Sequence, residues 1–281
     1  MTKKFSGKVV LITGASSGMG KDFALRLIRE GYTVYGAARR VARMEDIQAD
    51  GGHVLAMDVT DDASLVTGVD EVIRKEGRID VLINNAGYGC YGAIEDVPLA
   101  EARRQFEVNV FGLARLTQLV LPHMRAKGSG RIINISSIAG KIYAPLGGWY
   151  HATKHAVEAL SDCLRFETRP FGIDVVIIEP GGVQTEWGEI AMDSAEKYSG
   201  NTVYAGYARG WAKLVRSIKT QAPPAVITEL VVKALKARHP KTRYVAGTAA
   251  KPMLLLRSIL SDRMFDRMLR LASRSARAGT D

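Results

Sequence analysis

A short apolar strand, a glycine-rich turn and an amphipathic helix follow one another near the start of the sequence. Val9–Thr13 is apolar and β-branched, residues 14–20 hold three glycines, and residues 21–30 place apolar side chains at helical spacing. Glycines let the backbone bend tightly, and the N-terminus of the following helix offers free N–H groups to a phosphate. This order predicts a doubly wound α/β fold with a mostly parallel sheet.

The glycine turn also predicts a dinucleotide pyrophosphate site, because strand, turn and helix are the context that such a site requires. The spacing is Gly-x-x-x-Gly-x-Gly, one residue wider than Gly-x-Gly-x-x-Gly, so an ordinary glycine-rich turn is the alternative. The candidate contacts are Gly14, Ser16, Ser17, Gly18, Met19 and Gly20.

The second strand-like stretch, Thr33–Ala37, is not followed by the acidic residue with which NAD-selective sites bind the ribose hydroxyls. Arg39 and Arg40 follow it instead, and a guanidinium can bind a 2′-phosphate through two parallel hydrogen bonds. The sequence therefore predicts NADP(H) in preference to NAD(H). Two solvent-exposed surface arginines are the simpler alternative.

Two further strand-like stretches end in residues suited to other parts of a nucleotide. Residues 53–57 precede Asp58 and Val59, and the Asp58 carboxylate is a candidate acceptor for the adenine amino group. Residues 79–83 form a continuous apolar run, as expected for a parallel strand buried on both faces. Asparagine and glycine after this run also form simple turns, but we predict cofactor contacts at Asn85, Ala86 and Gly87.

Tyr150 and Lys154 are four residues apart, so a helix places both side chains on one face. An ammonium near a phenol favours the phenolate, so we expect the pKa of Tyr150 to fall below its usual value and the phenol to act as an acid–base group. Ser137 is a candidate to hydrogen-bond the same substrate oxygen. A surface pair is the alternative for Tyr150 and Lys154, and a satisfied core amide is the alternative for Asn109 in its apolar surroundings.

The order of these motifs resembles the classical short-chain dehydrogenase/reductase family over roughly residues 5–190. The matching motifs are Thr13-Gly-Ala-Ser-Ser-Gly-Met-Gly20, Asn84-Asn-Ala-Gly87, Asn109, Ser137, Tyr150-x-x-x-Lys154 and Pro180-Gly-x-x-x-Thr185. In pattern, the chain is most similar to hydroxysteroid and retinol dehydrogenase-like members. The resemblance implies a homodimer or homotetramer that associates through the helices carrying Asn109 and Tyr150.

The resemblance also implies a role for each matching residue. Tyr150 would be the general acid/base, Lys154 would lower its pKa and bind the nicotinamide ribose, and Ser137 would polarise the substrate oxygen. Asn109 would hold a water that links Lys154 to bulk solvent. The nicotinamide carboxamide would be seated by Pro180, Gly181, Val183 and Thr185.

Beyond Thr185 the helical periodicity weakens while aromatic residues persist, which favours a substrate lid over about residues 186–222, and we expect this lid to be helical. Ordinary surface helices are the alternative. Apolar and aromatic side chains near the predicted site favour a bulky hydrophobic substrate, although core packing would use the same residues. The candidate pocket residues are Tyr88, Tyr143, Leu146, Trp149 and Trp187.

The last stretch, residues 251–281, is an extension of a catalytic domain that spans residues 1–250. Residues 251–277 place apolar side chains at the spacing of one amphipathic helix. This stretch holds seven basic residues (Lys251, Arg257, Arg263, Arg267, Arg270, Arg274 and Arg277) and two acidic ones (Asp262 and Asp266). Such a helix can lie on an anionic membrane, cover the substrate entrance or pack on a second subunit.

Composition narrows the function classes. The chain has 281 residues and a net charge of +10, which is spread along the sequence and favours a solvated surface over a nucleic-acid partner. Two cysteines cannot build a disulfide framework, the five histidines show no metal-ligand spacing, and no apolar stretch reaches the roughly 18 residues that span a bilayer. With no signal peptide ahead of the first strand, we expect a cytoplasmic location with optional membrane association through residues 251–277.

These expectations combine into one functional prediction. The chain is expected to be an NADP(H)-dependent oxidoreductase that interconverts a lipophilic alcohol and its carbonyl compound, without a metal. A β-ketoacyl-thioester reductase and a non-catalytic NADP(H)-sensing protein on the same fold are the alternatives.

Overall fold

The computed structural model describes residues 7–217 and 221–277. Within these ranges seven strands form one fully parallel sheet in the order β3-β2-β1-β4-β5-β6-β7. The strands are β1 (Val9–Thr13), β2 (Thr33–Ala38), β3 (His53–Ala56), β4 (Val81–Asn84), β5 (Gly130–Ile135), β6 (Ile173–Pro180) and β7 (Arg243–Ala246). Residues 218–220 of the predicted lid and residues 278–281 of the predicted extension lie outside the described residues.

Helices cover both faces of the sheet and extend beyond its last strands. They are α1 (Gly18–Arg29), α2 (Glu45–Ala49), α3 (Asp62–Glu76), α4 (Leu99–Phe106), α5 (Gly112–Lys127), α6 (Gly148–Thr168), α7 (Glu186–Ser199), α8 (Ala205–Ser217), α9 (Ala225–Lys236), α10 (Ala250–Ile259) and α11 (Asp262–Arg277). A π-helical turn, Glu107–Phe111, joins α4 to α5 without a break.

Alternate residues of each central strand feed two separate cores, because successive side chains of a strand point to opposite faces. On one face Val10 and Ile12 of β1 pack with apolar residues of α1 and α9, which are Phe23, Leu27, Ile227 and Val231. On the other face Val9 and Leu11 pack with α3 and α5 through Leu65, Val69, Leu116 and Val120. Burial on both sides explains why these strands have continuous apolar sequences.

The direction in which the chain winds reverses at β1, which pairs with β2 on one side and with β4 on the other. In an open parallel sheet, the crevice beyond the carboxyl ends of two such strands is where nucleotides bind. The glycine turn follows β1 and the Asn85–Gly87 loop follows β4, so the fold brings both predicted motifs to this crevice. The predicted doubly wound α/β fold is confirmed.

The segment after Thr185 is helical, which confirms the predicted helical character of this segment although its apolar periodicity is weak. Helices α7 and α8 pack against each other through small residues, with Ala191, Ala195, Ala208 and Ala212 fully buried. Alanine carries little apolar surface, so the buried stripe gives only a weak hydrophobic signal in the sequence. Whether this helical pair serves as a substrate lid stays a prediction.

The C-terminal extension forms two helices instead of the single helix that its periodicity predicted. The backbone is extended at Leu260, which ends α10, and α11 begins at Asp262. Phe265 and Leu269 of α11 are buried against Ile142, and α11 also contacts α8. The inward face of the extension therefore packs on the rest of the chain. In the described residues no helix combines the length and apolar character that crossing a membrane requires.

Candidate active site

Helix α6 carries Tyr150 and Lys154 on its buried side, where they are 6% and 7% exposed. The Lys154 ammonium donates a hydrogen bond to the backbone carbonyl of Ile135 at 2.9 Å, at the end of β5. Its nitrogen lies 5.9 Å from the centroid of the Tyr150 ring. The fold thus places both groups at the carboxyl edge of the sheet, which disfavours the alternative of a surface pair.

Ser137 begins a short 3₁₀ turn, Ile138–Gly140, directly after β5. Its hydroxyl accepts a hydrogen bond from the backbone N–H of Ala139 at 3.1 Å and donates to the carbonyl of Pro180 at 3.3 Å. The Ser137 hydroxyl also lies near enough to the Tyr150 phenol to act on its pKa, in the downward direction. The structure therefore brings together Ser137, Tyr150 and Lys154, as the sequence predicted.

Burial shifts the pKa values of Tyr150 and Lys154. It raises the pKa of Tyr150 to about 12, although the Ser137 hydroxyl acts in the opposite direction. Burial lowers the pKa of Lys154 to about 8, and the negative charge of Glu158 partly opposes this. In the chain by itself the pKa of Tyr150 is raised, whereas the sequence predicted a lowered value, because desolvation dominates and the Lys154 ammonium is held by the Ile135 carbonyl. The role of Lys154 toward Tyr150 stays a prediction.

Asn109 lies in the π-helical turn and its side chain is fully hydrogen-bonded. Its amide nitrogen donates to the carbonyl of Tyr88 at 2.9 Å and to the hydroxyl of Thr153 at 3.1 Å, and its oxygen accepts from the Tyr88 N–H at 3.0 Å. These contacts fix the backbone beyond Gly87 and correspond to the satisfied core amide that was the alternative for Asn109. The water-holding role of Asn109 stays a prediction.

The glycines of the turn let its backbone lie close to the loop that follows β4. Gly14 adopts φ +68°, and a Cβ there would lie 2.9 Å from the Cα of Ala86. A Cβ on Gly20 would lie 2.4 Å from the side-chain nitrogen of Asn85, which itself donates to the carbonyl of Thr13 at 3.0 Å. The turn and the Asn85–Gly87 loop are therefore tied together at the crevice between β1 and β4.

The N-terminus of α1 is open toward this crevice. Ser17 occupies the N-cap position without a side-chain capping bond, and the first turn holds no acidic residue. The free N–H groups and the positive end of the helix dipole therefore suit a phosphate. Ser16 and Ser17 line the adjoining cleft, of about 520 Å³, together with Gly18. Met19 instead packs against the core.

Four basic side chains gather near the end of β2. Arg39 lies 4.0 Å from the Asp58 carboxylate, and Arg40 donates to the Ser17 hydroxyl at 3.5 Å. Lys21 and Arg43 line the same cleft as Ser17, and sequence reasoning missed them because neither follows the strand directly. Lys21 is paired with Asp46 at 2.8 Å and Arg43 with Glu186 at 3.2 Å, so Arg39 and Arg40 supply the positive charge where the ribose of a bound nucleotide is expected.

Asp58 and Val59 lie at the end of β3. Burial alone would raise the pKa of Asp58, but hydrogen bonds from the Thr60 N–H and hydroxyl and the charge of Arg39 outweigh it, and the net shift is downward. The carboxylate is therefore ionised and partly occupied by Thr60, at 3.0 Å and 2.8 Å. A Cβ on Gly112 would lie 2.3 Å from the Val59 carbonyl, so this loop sits directly on α5.

The segment from Pro180 to Thr185 runs from β6 toward the glycine turn. The Gly181 N–H donates to the Ala246 carbonyl at 2.8 Å, and Val183 bridges to Ala222. Thr185 caps α7, and its methyl carbon would lie 3.3 Å from a Cβ on Gly18. This segment therefore reaches the pyrophosphate end of the predicted site.

Only part of the predicted substrate pocket assembles around Tyr150. The Trp187 ring centroid lies 4.9 Å from that of Tyr150, and Leu146 packs in the same cluster with a strained φ of 64°. Tyr91 also belongs to it, 5.8 Å from Tyr150 between centroids, although sequence reasoning did not single it out. A Cβ on Gly89 would lie 2.5 Å from Trp187, so a glycine there makes room for the indole.

The other pocket candidates lie in different surroundings. The Tyr143 hydroxyl donates to Asp266 at 2.8 Å, and its ring contacts Phe265 at 5.1 Å between centroids, so Tyr143 anchors the C-terminal helices. The Tyr88 carbonyl accepts a hydrogen bond from the Asn109 amide, and burial raises the pKa of the Tyr88 phenol to about 12. The Trp149 indole nitrogen is buried and has no hydrogen-bond partner among the described residues.

Two threonines that hold the site together were missed in the sequence. The Thr13 hydroxyl accepts hydrogen bonds from the N–H groups of Asn85 and Ala86, each at 3.0 Å. The Thr153 hydroxyl accepts from Asn109 and donates to the Tyr150 carbonyl at 2.7 Å. The sequence signal for Thr13 was a polar residue at the end of an apolar strand. The signal for Thr153 was a hydroxyl residue between Tyr150 and Lys154.

The cleft suits a dinucleotide, because Gly14 and Gly20 let the turn lie directly on the Asn85–Gly87 loop and an uncapped helix end faces a phosphate position. The residues that would hold it are those of the glycine turn, the Asn85–Gly87 loop and the Pro180–Thr185 segment. No group of three or more metal-ligating side chains occurs among the described residues. Fold and site together define a nucleotide-binding oxidoreductase with a single parallel sheet.

The chain belongs to the short chain dehydrogenase family, whose model matches residues 8–196. It is 36% identical over 264 residues to a probable short-chain type dehydrogenase/reductase, VdlC, of Helicobacter pylori, covering 94% of this chain and 97% of that protein. It is 35% identical to the NADPH-dependent 3-dehydrocapnine reductase of Ornithobacterium rhinotracheale, over 93% and 95% of the two chains. It is also 35% identical to the 3-ketodihydrosphingosine reductase of Bacteroides thetaiotaomicron, over 94% and 97%.

Solved structures agree with this assignment. A short-chain dehydrogenase from Streptomyces avermitilis superimposes with a TM-score of 0.79 at 34% identity, covering 98% of this chain and 99% of the other. A serine dehydrogenase complexed with NADP+ gives 0.76 at 25% identity, over 86% and 95%. A relative from Burkholderia phymatum in complex with NAD gives 0.73 at 27% identity, over 86% and 89%. Related proteins thus bind either nicotinamide dinucleotide, and the hydroxysteroid or retinol subtype stays a prediction.

Proposed function

We propose that this chain is an NADP(H)-dependent oxidoreductase that interconverts a hydrophobic alcohol and its ketone or aldehyde, with Tyr150 as general acid/base. The observation that carries the proposal is the buried group of Ser137, Tyr150 and Lys154 at the mouth of a glycine-lined nucleotide crevice. Such a group serves no purpose in a protein that only senses the nucleotide.

The chain's own residues account for the proton and the positioning. A bound nicotinamide would supply or accept the hydride, which no side chain provides. In the reductive direction the Tyr150 phenol donates its proton to the developing alkoxide, while the Ser137 hydroxyl hydrogen-bonds the same oxygen. The Lys154 ammonium then stabilises the phenolate until a proton returns from solvent, and oxidation runs these steps in reverse.

Turnover assays with a panel of carbonyl compounds test this proposal. The panel holds steroids, retinal, short aliphatic ketones, a β-ketoacyl thioester and a long-chain 3-keto amine, with NADPH consumption as the readout. We expect Tyr150→Phe to abolish turnover and to keep NADPH affinity within a few-fold, because the phenol hydroxyl is the proton donor. Tyr35→Phe is the matched control, since its hydroxyl bonds Glu76, on the face that packs with α3.

Retained turnover in Tyr150→Phe would remove Tyr150 from the mechanism. Tight NADPH binding without turnover across the panel would favour the sensing alternative, and selective turnover of the thioester would favour the β-ketoacyl-thioester alternative. Within the proposal we favour long-chain ketones. Tyr91, Leu146 and Trp187 make the surroundings of Tyr150 apolar, and two relatives bear names that specify 3-keto or 3-dehydro substrates.

The proposed preference for NADP(H) rests on Arg39 and Arg40 after β2, because Lys21 and Arg43 are paired with Asp46 and Glu186. We expect Arg39→Asp to lower the ratio of NADPH to NADH activity, because a carboxylate repels a 2′-phosphate and accepts hydrogen bonds from the free ribose hydroxyls. Arg74→Asp, on the exposed surface of α3, controls for the change in net charge. An unchanged cofactor ratio in Arg39→Asp would contradict the assignment of that arginine.

We also propose that the C-terminal helices contact anionic membranes from a cytoplasmic location. Their outward side exposes Leu255 and Ile259 on α10, at 61% and 67%, and Met264 and Leu271 on α11, both at 56%. Basic residues accompany them at Lys251, Arg263, Arg267 and Arg270. The side chains of Arg274 and Arg277 lie outside the described residues.

Vesicle flotation tests the membrane contact. The full chain should float with phosphatidylserine-containing vesicles and not with phosphatidylcholine vesicles, and Leu255→Asp with Ile259→Asp should abolish flotation while the turnover of a short soluble ketone is retained. Equal behaviour of the two vesicle types would contradict the electrostatic part of the proposal, and no flotation with either would contradict the contact itself.

Homo-oligomerisation through α4, α5 and α6 is a further part of the proposal. Phe111 and Phe166 are 56% and 83% exposed on these helices, which is unusual for large aromatic side chains on a free surface. Light scattering coupled to gel filtration should give a dimer or a tetramer, and Phe166→Asp should shift the mass toward the monomer. A monomeric wild-type protein would refute this part.

A further inference from the structure

Two buried glutamates meet behind the catalytic residues. Glu158 lies on α6, four residues after Lys154, and Glu179 lies near the end of β6, directly before Pro180. They are 3% and 2% exposed. A buried carboxylate is costly unless it is paired, so both side chains require an explanation.

Two basic side chains contact this pair, Arg243 from β7 and Lys141 from the end of the Ser137 turn. The Arg243 Nε at the start of β7 lies 3.0 Å from Glu158 Oε2 and 3.2 Å from Glu179 Oε1. The Lys141 ammonium lies 3.2 Å from Glu158 Oε2, and Asp162 takes the other side of the Arg243 guanidinium at 2.6 Å. Asp162 is also paired with Arg165, so the two buried glutamates share the Arg243 guanidinium and the Lys141 ammonium, which is 38% exposed.

One oxygen of each glutamate lacks a hydrogen bond of normal geometry. In the part of the chain that the structure describes, Glu158 Oε1 and Glu179 Oε1 are buried without a hydrogen-bond partner, although Glu179 Oε1 keeps its ion-pair contact with the Arg243 Nε at 3.2 Å. The two carboxyl groups contact the same nitrogen, the Arg243 Nε, at 3.0 Å and 3.2 Å, so they lie side by side. A single proton shared by the pair would relieve their repulsion, because two carboxylates this close do not both ionise readily.

The electrostatics agree with this geometry. Burial, followed by the charge of Glu158, raises the pKa of Glu179 to about 7, against the lowering effects of Arg243 and Lys141. The pair therefore carries about one negative charge near neutral pH. That charge also raises the pKa of Lys154, opposing the effect of burial on the ammonium.

The pair is joined to each part of the candidate active site. A Cβ on Gly140, in the Ser137 turn, would lie 2.8 Å from the Glu158 Cγ and 2.9 Å from the Lys154 carbonyl. Glu179 precedes Pro180, whose carbonyl accepts the Ser137 hydroxyl. A change at the pair is therefore transmitted to Lys154 through charge and to Ser137 through the backbone.

We propose that Glu158 and Glu179 share one proton and act together as a positioning element that keeps Lys154 protonated and the Ser137 turn in place. The part concerning Lys154 rests on the function proposed above, whereas the shared proton does not. Neither glutamate contacts the reacting atoms in this proposal.

Infrared spectroscopy of the purified chain tests the shared proton without any turnover. At mildly acidic pH the wild-type protein should show the carbonyl stretch of a protonated carboxyl group, which should disappear as the pH rises through about 7. Glu179→Gln and Glu158→Gln should both lose this band. Glu167→Gln, on the exposed side of α6, should keep it. A band that survives in either buried variant would overturn the shared proton.

The pH dependence of kcat/KM tests the positioning role. Glu179→Gln should stay within about twofold of wild type at neutral pH, because its amide donates to Glu158 as the protonated carboxyl does. Glu158→Gln removes the charge beside Lys154, so the alkaline limb of the profile should move down by about one pH unit. Glu158→Asp, which restores the charge, should move that limb back toward wild type.

Loss of the infrared band together with unmoved pH profiles would leave the pair with a structural role and overturn its link to Lys154. If the wild-type chain turns over no substrate, the proposed function fails while the infrared result still decides the shared proton.

Discussion

Thr13→Val isolates the hydroxyl that ties the glycine turn to the loop after β4. Valine keeps the shape of the side chain, which is 3% exposed, but leaves the N–H groups of Asn85 and Ala86 without their acceptor. An unsatisfied buried donor costs roughly 1–3 kcal/mol. Because both amides are only part-buried, we expect a total loss near the low end, about 2–3 kcal/mol of unfolding free energy.

Urea denaturation of the cofactor-free chain measures this loss. With an m-value of about 2–3 kcal/mol per molar, the unfolding midpoint should fall by about 1 M. Thr13→Ser is the matched control: it keeps the oxygen and removes one methyl group, which costs about 0.8 kcal/mol. A valine variant as stable as the serine variant would refute the assignment, because methyl loss would then matter as much as two hydrogen bonds.

Three further predictions address proton transfer, the helical pair α7–α8 and the C-terminal helices. In wild type kcat/KM should fall above about pH 8, since a lowered pKa means that Lys154 loses its ammonium charge as the pH rises through that value; a flat alkaline profile would contradict this. Arg216→Ala removes the ion pairs that join α8 to Glu189, Asp193 and Glu196 of α7. Because all of these side chains are partly exposed, we expect the free energy of unfolding to fall by less than about 1 kcal/mol. Proteolysis within residues 186–217 should nevertheless be faster than in the control variant, Arg209→Ala. Phe265→Ala should cost about 3–4 kcal/mol and loosen α11, detected as earlier proteolytic release of the C-terminus, and an unchanged digestion pattern would be inconsistent with the observed packing on Ile142 and Tyr143.

The sheet was predictable because its signal is local. A fully buried parallel strand is apolar throughout, so Val9–Thr13 and Val81–Asn84 stand out without knowledge of their neighbours. The bounds of α7 and α8 were not predicted, although a helical segment was, because their buried stripe consists of alanines. The break at Leu260 was missed because the apolar spacing continues across it, although Ser261 and Asp262 are suited to begin a new helix.

Residues that contact the nucleotide crevice were easier to predict than residues that support it. Motif order points to Ser137, Tyr150 and Lys154, whereas Thr13 and Glu158 act through partners that are distant in sequence. Thr13 bonds residues more than seventy positions away, and Glu158 pairs with Arg243, 85 positions away. No pattern within a window of the sequence records such a contact, so these roles required the fold.

The pKa of Tyr150 shows what spacing cannot supply. Four residues along a helix give proximity between a phenol and an ammonium, and proximity alone predicts a lowered phenol pKa. Burial adds a desolvation cost that favours the neutral form of each group, which raises one pKa to about 12 and lowers the other to about 8. At neutral pH the proton therefore starts on Tyr150, which is the state that reduction of a carbonyl needs, and Lys154 retains its charge with the help of Glu158. The sequence indicates which groups would exchange the proton in the proposed mechanism, and the depth at which the fold buries them decides on which group that proton begins.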